Sequence, residues 1–276
     1  MNGDTMSHQT RKPVPQTRMV SNGDVQIETF VEGEGPLVIV LPSVGRGSDD
    51  LETFSAALAA KGFTVARPQP RGIGNSRGGS SHITLHDYAD DVAAIIRTLD
   101  GAPAIVCGHA YGNWIARMTA KDHPDLVAGV VLLAAGKKPP YPDWLQSALR
   151  KCSDSSLPEA ERLENLRIAF FAPGSDPTPF LTGWYPEVAT DQRRAAAATP
   201  IAGWWDAGGS VPMLEVQAAD DPFMPPENRS DLRHELRPRV TSVIIDQASH
   251  ALLPEQPQRV ANAVADFAQA LRLSPR

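Results

Sequence analysis

Cysteine is scarce in this chain: Cys107 and Cys152 are the two present in 276 residues. One pair 45 residues apart excludes a disulfide framework and any Cys-x-x-Cys metal or redox motif, and it predicts reduced thiols in a cytoplasmic setting. An excess of basic charge is also missing. Lys and Arg total 26 against 32 Asp and Glu, a net charge of −6, with no block of cationic residues. The electrostatic footprint needed for nucleic acid or an anionic membrane surface is therefore absent. Long apolar runs are lacking as well. Met1 to Arg18 is polar and holds no stretch that would serve as a signal peptide or a membrane span, so residues 1–23 read as a disordered tail.

What is present is ordinary globular material, 42% apolar and 21% charged, long enough for one large domain or a core carrying an insertion. Proline is in excess, 25 of 276 against a usual ~5%, and gathers in loops and between residues 139 and 226. From Gly35 onward, short apolar runs alternate with helical periods. Leu37 to Leu41 is continuously apolar between Pro36 and Pro42, as a strand buried on both faces must be. Thr64 to Ala66, Ala104 to Gly108, Val130 to Ala134, Val211 to Gln217 and Val243 to Asp246 supply further strands. Leu51, Phe54 and Leu58 mark one intervening helix. Thr84 and Asp87 form a variant capping box opening a second, whose stripe is Tyr88, Val92, Ile95, Ile96 and Leu99. Trp114, Ile115 and Met118 face inward from a third, and Val260, Val264, Phe267 and Leu271 from the closing helix. Alternation of this kind predicts an α/β fold with a doubly wound parallel sheet, and the alternating Val25 to Val31 an antiparallel edge strand.

Residues 137–210 break the rhythm with helical pieces between Pro/Gly turns. This interval reads as an inserted helical lid between two halves of the core, 24–136 and 211–276. It holds nine of the seventeen aromatics, including four of the five tryptophans. They either pack small helices onto the sheet or line a pocket for a small apolar or aromatic molecule, with Trp144, Trp184 and Trp204 as candidate contacts.

The segment Gly108-His109-Ala110-Tyr111-Gly112 falls between a predicted strand and a predicted helix. In that context a Gly-x-nucleophile-x-Gly sequence is a nucleophile elbow, a strained turn that lifts its central side chain to the carboxyl edge of the sheet. Together with the turn Leu41-Pro42-Ser43-Val44-Gly45 and the loop Arg71 to Ser76, it makes the chain from about Asp24 to Leu271 resemble the α/β-hydrolase fold family. The resemblance implies a mostly parallel sheet of the eight-stranded type, flanked by helices, with an inserted lid. It also implies cofactor-free, metal-free chemistry with the chain order nucleophile, acid, base. Asp221, directly before the Pro222-Phe223-Met224-Pro225 loop, is then a better acid than its neighbour Asp220, and His250 is the base. Asp221 would fix the His250 tautomer and His250 would move protons. The backbone N–H groups of Val44 and Tyr111 would form the oxyanion hole.

The centre departs from the pattern, because the nucleophile position holds Ala110. A methyl group cannot attack a carbonyl, so no acyl-enzyme forms at this residue. Either a serine has been replaced to trap substrate or the alanine is native. What remains is a base with its carboxylate and an oxyanion hole, which suits direct activation of water on an ester, lactone or C–C substrate. The same groups suit a lyase, isomerase or cyclase with His250 as base, or a pocket that binds without reacting. Ser43, beside Arg46 in the first loop, is a minor candidate for a surrogate nucleophile and a contact to substrate. His109 reads as a packing residue, Cys107 as a buried small hydrophobe, and His82 and His86 as flanks of the Thr84 cap rather than metal ligands. Gly72 to Arg77 lacks the third glycine of a dinucleotide fingerprint, which rules out a nicotinamide or flavin site there.

Overall fold

The computed structural model describes residues 15–79 and 82–273. Eight strands form one sheet: β1 (Gln16–Asn22), β2 (Val25–Glu32), β3 (Leu37–Leu41), β4 (Thr64–Pro68), β5 (Ala104–His109), β6 (Val127–Leu133), β7 (Met213–Ala218) and β8 (Val240–Ile245). Their spatial order is β1-β2-β4-β3-β5-β6-β7-β8. From β4 to β8 every pairing is parallel, and β1 and β2 join antiparallel.

The helices are α1 (Glu52–Ala59), α2 (Leu85–Thr98), α3 (Gly112–Asp122), α4 (Asp143–Cys152), α5 (Glu159–Ala169), α6 (Pro186–Ala197), α7 (Asp231–Glu235) and α8 (Pro257–Ala270). The alternation inside β3 shows how the sheet is covered. Leu37, Ile39 and Leu41 enter the core under α2 and α3, whereas Val38 and Val40 enter the core under α1 and α8. A side-chain period of two with both faces apolar requires helices on both sides. A third apolar cluster lies outside these layers: Leu145, Leu166, Phe170, Phe171 and Phe180 of the inserted segment pack with Phe223 and Ala251, which belong to the sheet half of the chain.

Two expectations are corrected. Gln16–Asn22 is not tail but strand β1, paired along its length with β2. A two-residue hairpin loop, with Gly23 at φ +58°, and the burial of Val20 secure it. The β2 strand is consequently internal, between β1 and β4, rather than the edge. The expectation for 1–14 lies outside the described residues. The Thr84/Asp87 capping box forms as anticipated. Between 137 and 210 the described elements are α4, α5, α6 and short 3₁₀ turns. Among the described residues no helix is long and apolar enough to cross a membrane.

Candidate active site

The turn from β5 into α3 is set by how close the helix comes to the sheet. A Cβ added at Gly108 would lie 2.2 Å from the backbone of Gly112, and one at Gly112 would lie 2.6 Å from the carbonyl oxygen of Leu41. No side chain fits at either position. Between them Ala110 adopts φ +46°, a region that costs a residue with a Cβ about 1 kcal/mol or more. The turn is fastened on both sides: Ala110 N–H donates to the Leu133 carbonyl (3.0 Å), and the Ala110 carbonyl accepts from Asn113 N–H (3.1 Å) and from the Asn113 side-chain amide. A half-buried methyl group thus stands at the tip of a complete elbow.

Asp221 and His250, the expected acid and base, are brought together. Asp221, in the loop after β7, is 3% exposed and His250, after β8, is 6% exposed. Asp221 Oδ2 accepts from His250 Nδ1–H at 3.1 Å, and Oδ1 accepts from the Phe223 N–H at 2.8 Å. A carboxylate only accepts, so Nδ1 carries the proton and Nε2 is left as the basic atom. Asp220 has a different part: its backbone carbonyl accepts from the Ser249 hydroxyl (3.0 Å). The two sides of His250 are pinned by Ser249 N–H, which donates to Glu255 (2.7 Å), and by Ala251 N–H, which donates to the Phe170 carbonyl (2.7 Å).

His109 does more than pack. Its Nε2 donates to the His250 carbonyl at 2.7 Å, so the residue before Ala110 holds the backbone of the base. Burial, reinforced by the nearby His250, lowers the His109 imidazole from 6.5 to about 3. It stays neutral, as a donor to a carbonyl in the core should.

Val44 is half-buried in the loop after β3, and Tyr111 caps the start of α3, where backbone N–H groups favour an anion. Ser43 is 5% exposed, and its carbonyl accepts from Arg46 N–H (3.3 Å). The Arg46 side chain is buried. It donates to both oxygens of Asp50 (2.6 Å each) and to the Thr182 carbonyl (2.6 Å), between the rings of Phe180 and Trp184 at 4.2 and 4.5 Å. The loop also bonds to Gln192 of α6.

The three tryptophans part company. Trp184 stays near the site, edge-on to Phe170 at 5.8 Å, and Phe170 lies 5.4 Å from the His250 ring. Trp144 is corrected as a pocket residue: it is 55% exposed on the outer face of α4, because Leu145, Ala148 and Cys152 take the inner one. Trp204 is corrected too. It is 2% exposed and stacks on Trp114 at 5.2 Å in the α2/α3 core, away from the rings around His250. Sequence reasoning missed the ring closest to the base, Phe223, at 4.1 Å from His250, and Tyr141, edge-on to Phe223 at 5.2 Å. Phe223 stands two residues after the acid, and that spacing was the available signal. Elsewhere, His86 bonds Asp122 at 2.5 Å, and burial raises the Cys107 thiol.

A model described as "Alpha/beta hydrolase family" matches residues 38–263. The chain belongs to that family. The eight-stranded, mostly parallel sheet is that family's fold, and membership marks the chain as an enzyme of hydrolase type. The chain is 27% identical over 203 residues to a 2-(acetamidomethylene)succinate hydrolase of Mesorhizobium japonicum, covering 74% of this chain and 67% of that one. It is 29% identical over 256 residues to a pyrethroid hydrolase of Sphingobium wenxiniae, covering 85% and 88% respectively. Among solved structures, an esterase from Thermogutta terrifontis superposes with a TM-score of 0.72 over 93% of this chain and 99% of that one, at 19% identity, a likeness of fold.

Proposed function

We propose that this protein is a cofactor-free, hydrolase-type enzyme in which His250, oriented by Asp221, activates water directly at a small, mainly apolar ester or lactone. The hydrogen bond between buried Asp221 and His250, set beside an elbow that carries a methyl group, is the observation that carries this reading. His250 Nε2 takes a proton from water, and the water oxygen bonds to the carbonyl carbon. The displaced electron pair collects on the carbonyl oxygen against the Val44 and Tyr111 N–H groups. Collapse of that adduct breaks the bond to the leaving oxygen, which receives the proton from His250, giving acid and alcohol. Phe223 and Phe170 flank the imidazole, which supports an apolar substrate, and residues 137–210 serve as the lid that carries Phe170 and Trp184 over it. The hydrolase names of the sequence relatives support the reaction class.

Ala110 also supports a second reading. A base and an oxyanion hole with no nucleophile suit proton abstraction next to a carbonyl, with no acyl intermediate. Incubation with short aryl esters and lactones in ¹⁸O water separates the two, since hydrolysis places one labelled oxygen in the acid product. Turnover should vanish in His250→Ala and fall in Asp221→Asn. Ala110→Ser should gain hydrolysis of p-nitrophenyl esters and labelling by a fluorophosphonate. Full turnover in His250→Ala, or a folded Ala110→Ser that neither hydrolyses nor labels, overturns the assignment.

A further inference from the structure

The proposed oxyanion donors come from two separate segments, the loop after β3 and the start of α3. One residue of α6 bonds to both segments. Gln192 lies on α6, 2% exposed. Its side-chain Oε1 accepts from Gly45 N–H at 2.7 Å, which fixes the peptide immediately following Val44. Its backbone carbonyl accepts from the Tyr111 hydroxyl at 2.9 Å. We propose that Gln192 is the positioning residue of the oxyanion hole, setting the Val44 loop and the Tyr111 turn relative to one another from the far side of the insertion. The inference rests on the oxyanion assignment of Val44 and Tyr111 and goes beyond it by making the hole depend on α6.

Three further observations point the same way. Gly45 sits at φ +65°, and a Cβ there would lie 2.7 Å from the Ala189 side chain, so α6 presses directly on the loop. The Gly45 carbonyl accepts from Tyr185 N–H at 2.9 Å. Both polar groups of this residue are therefore spent on residues 185–192. Arg46, the next residue, bridges to Trp184 through the backbone and to Thr182 through its guanidinium. Val44 thus lies in a loop whose following two residues are bound to the insertion. Burial and a neutral amide acceptor make the Gln192 bond sensitive to substitution, because a Gly45 N–H left buried without a partner is costly. A donor moved by ~1 Å from the position of the developing oxyanion loses much of its effect, on the order of 10²-fold in rate.

Two substitutions separate positioning from mere packing. Gln192→Met keeps length and volume and loses the acceptor, whereas Gln192→Glu keeps an acceptor oxygen for Gly45 N–H. In the Ala110→Ser background with p-nitrophenyl acetate, Gln192→Met should lower kcat by roughly 10- to 100-fold with KM changed less than about threefold, and Gln192→Glu should restore most of the rate. In the otherwise unmodified chain, titration with 4-nitrophenolate, followed by absorbance, probes the hole without any nucleophile. There Gln192→Met should weaken binding about tenfold and Gln192→Glu should not. Loss of thermal stability in Gln192→Met with unchanged kcat and unchanged phenolate binding would mean a structural role and overturn the proposal. Failure of the unmodified chain to bind 4-nitrophenolate overturns it together with the oxyanion assignment. An inactive Ala110→Ser with phenolate binding still weakened by Gln192→Met would sink the hydrolase reading and leave the role of Gln192 standing.

Discussion

The elbow between β5 and α3 and the helical segment 137–210 between β6 and β7 both shape the candidate site, by opposite means. The elbow works through backbone. Its two glycines exist because strand and helix touch there, and Ala110 is held at φ +46° by main-chain hydrogen bonds to Leu133 and Asn113. The insertion works largely through side chains and isolated links: Arg46 to Thr182, Gln192 to Gly45, and Phe170 against His250. A backbone device tolerates no change at its glycines yet is indifferent to which side chain it displays. An alanine is accordingly accommodated at the tip of this turn with its main-chain hydrogen bonds made. A side-chain device tolerates change in its backbone surroundings and fails when one partner is cut.

The largest effect expected from this contrast is at Gly108. Alanine there meets the Gly112 backbone at 2.2 Å, and no rotamer relieves a clash between main chains. Gly108→Ala should cost on the order of 4 kcal/mol or prevent soluble accumulation, to be checked by urea unfolding. A loss below ~1 kcal/mol would show that the elbow can open, and the comparison would fail on its stronger side.

Arg46 is the matching cut on the insertion side. Arg46→Met keeps apolar contact with Phe180 and Trp184 and removes three short hydrogen bonds, leaving Asp50 and the Thr182 carbonyl without that partner. Asp50 is only half-buried, so removing its partner costs less than the loss of a fully buried pair, about 2 kcal/mol. Because the links are local, hydrogen exchange should quicken around residues 178–192 and much less in β5 and β6. Uniform loss of protection across the sheet would mean that insertion and elbow unfold as one unit.

A third test concerns the seam between the regions, where His109 holds the His250 carbonyl. A histidine kept neutral at about 3 in the fold and near 6.5 when unfolded takes up its proton in the unfolded chain first as pH falls. The unfolded state binds more protons between those values, so the stability His109 contributes is intact above about 6.5 and declines towards 3. The decline is about 1.4 kcal/mol per pH unit for one group. His109→Gln keeps an N–H donor without titrating, so its melting temperature should fall less steeply below pH 6.5 than that of the parent. Parallel curves would remove His109 from the acid response.

How much of this was legible in the sequence follows from the same distinction. Where backbone geometry dictates residue type, the sequence was legible: Gly108 and Gly112 stand where strand meets helix, the run Leu37–Leu41 is a strand covered on both faces, and Asp221 and His250, the expected acid and base, lie within a hydrogen bond of each other. The hairpin of β1 was missed because one buried residue, Val20, is too little signal for a strand of otherwise mostly exposed residues. Gln192 lies 147 residues from the glycine that it binds, in a helix of mixed Ala and Arg, and nothing in its local sequence distinguishes it from a surface glutamine. The tryptophans failed for a related reason: composition placed four between 137 and 210, but the packing of α4 turns Trp144 outward and stacking on Trp114 of α3 draws Trp204 into the core.

The smallest expected effect sharpens the comparison from within the insertion. Trp144 and Trp184 lie in the same segment, yet Trp144 is 55% exposed on α4 whereas the Trp184 indole N–H donates to the Phe180 carbonyl at 2.6 Å, beside Phe170 and Arg46. Trp144→Ala should change stability by less than about 0.5 kcal/mol, as substitutions at exposed positions usually do. Its removal should also leave unaltered any quenching of tryptophan fluorescence by an aromatic ester bound near His250, because such a ligand reaches the Phe170 and Trp184 rings and not the outer face of α4. Trp184→Phe, which keeps a ring against Phe170, should abolish most of that quenching. If instead Trp144→Ala removes the signal and Trp184→Phe preserves it, ligand binds on the outer face of α4, and the assignment of Phe170 and Trp184 to the wall of the site is wrong.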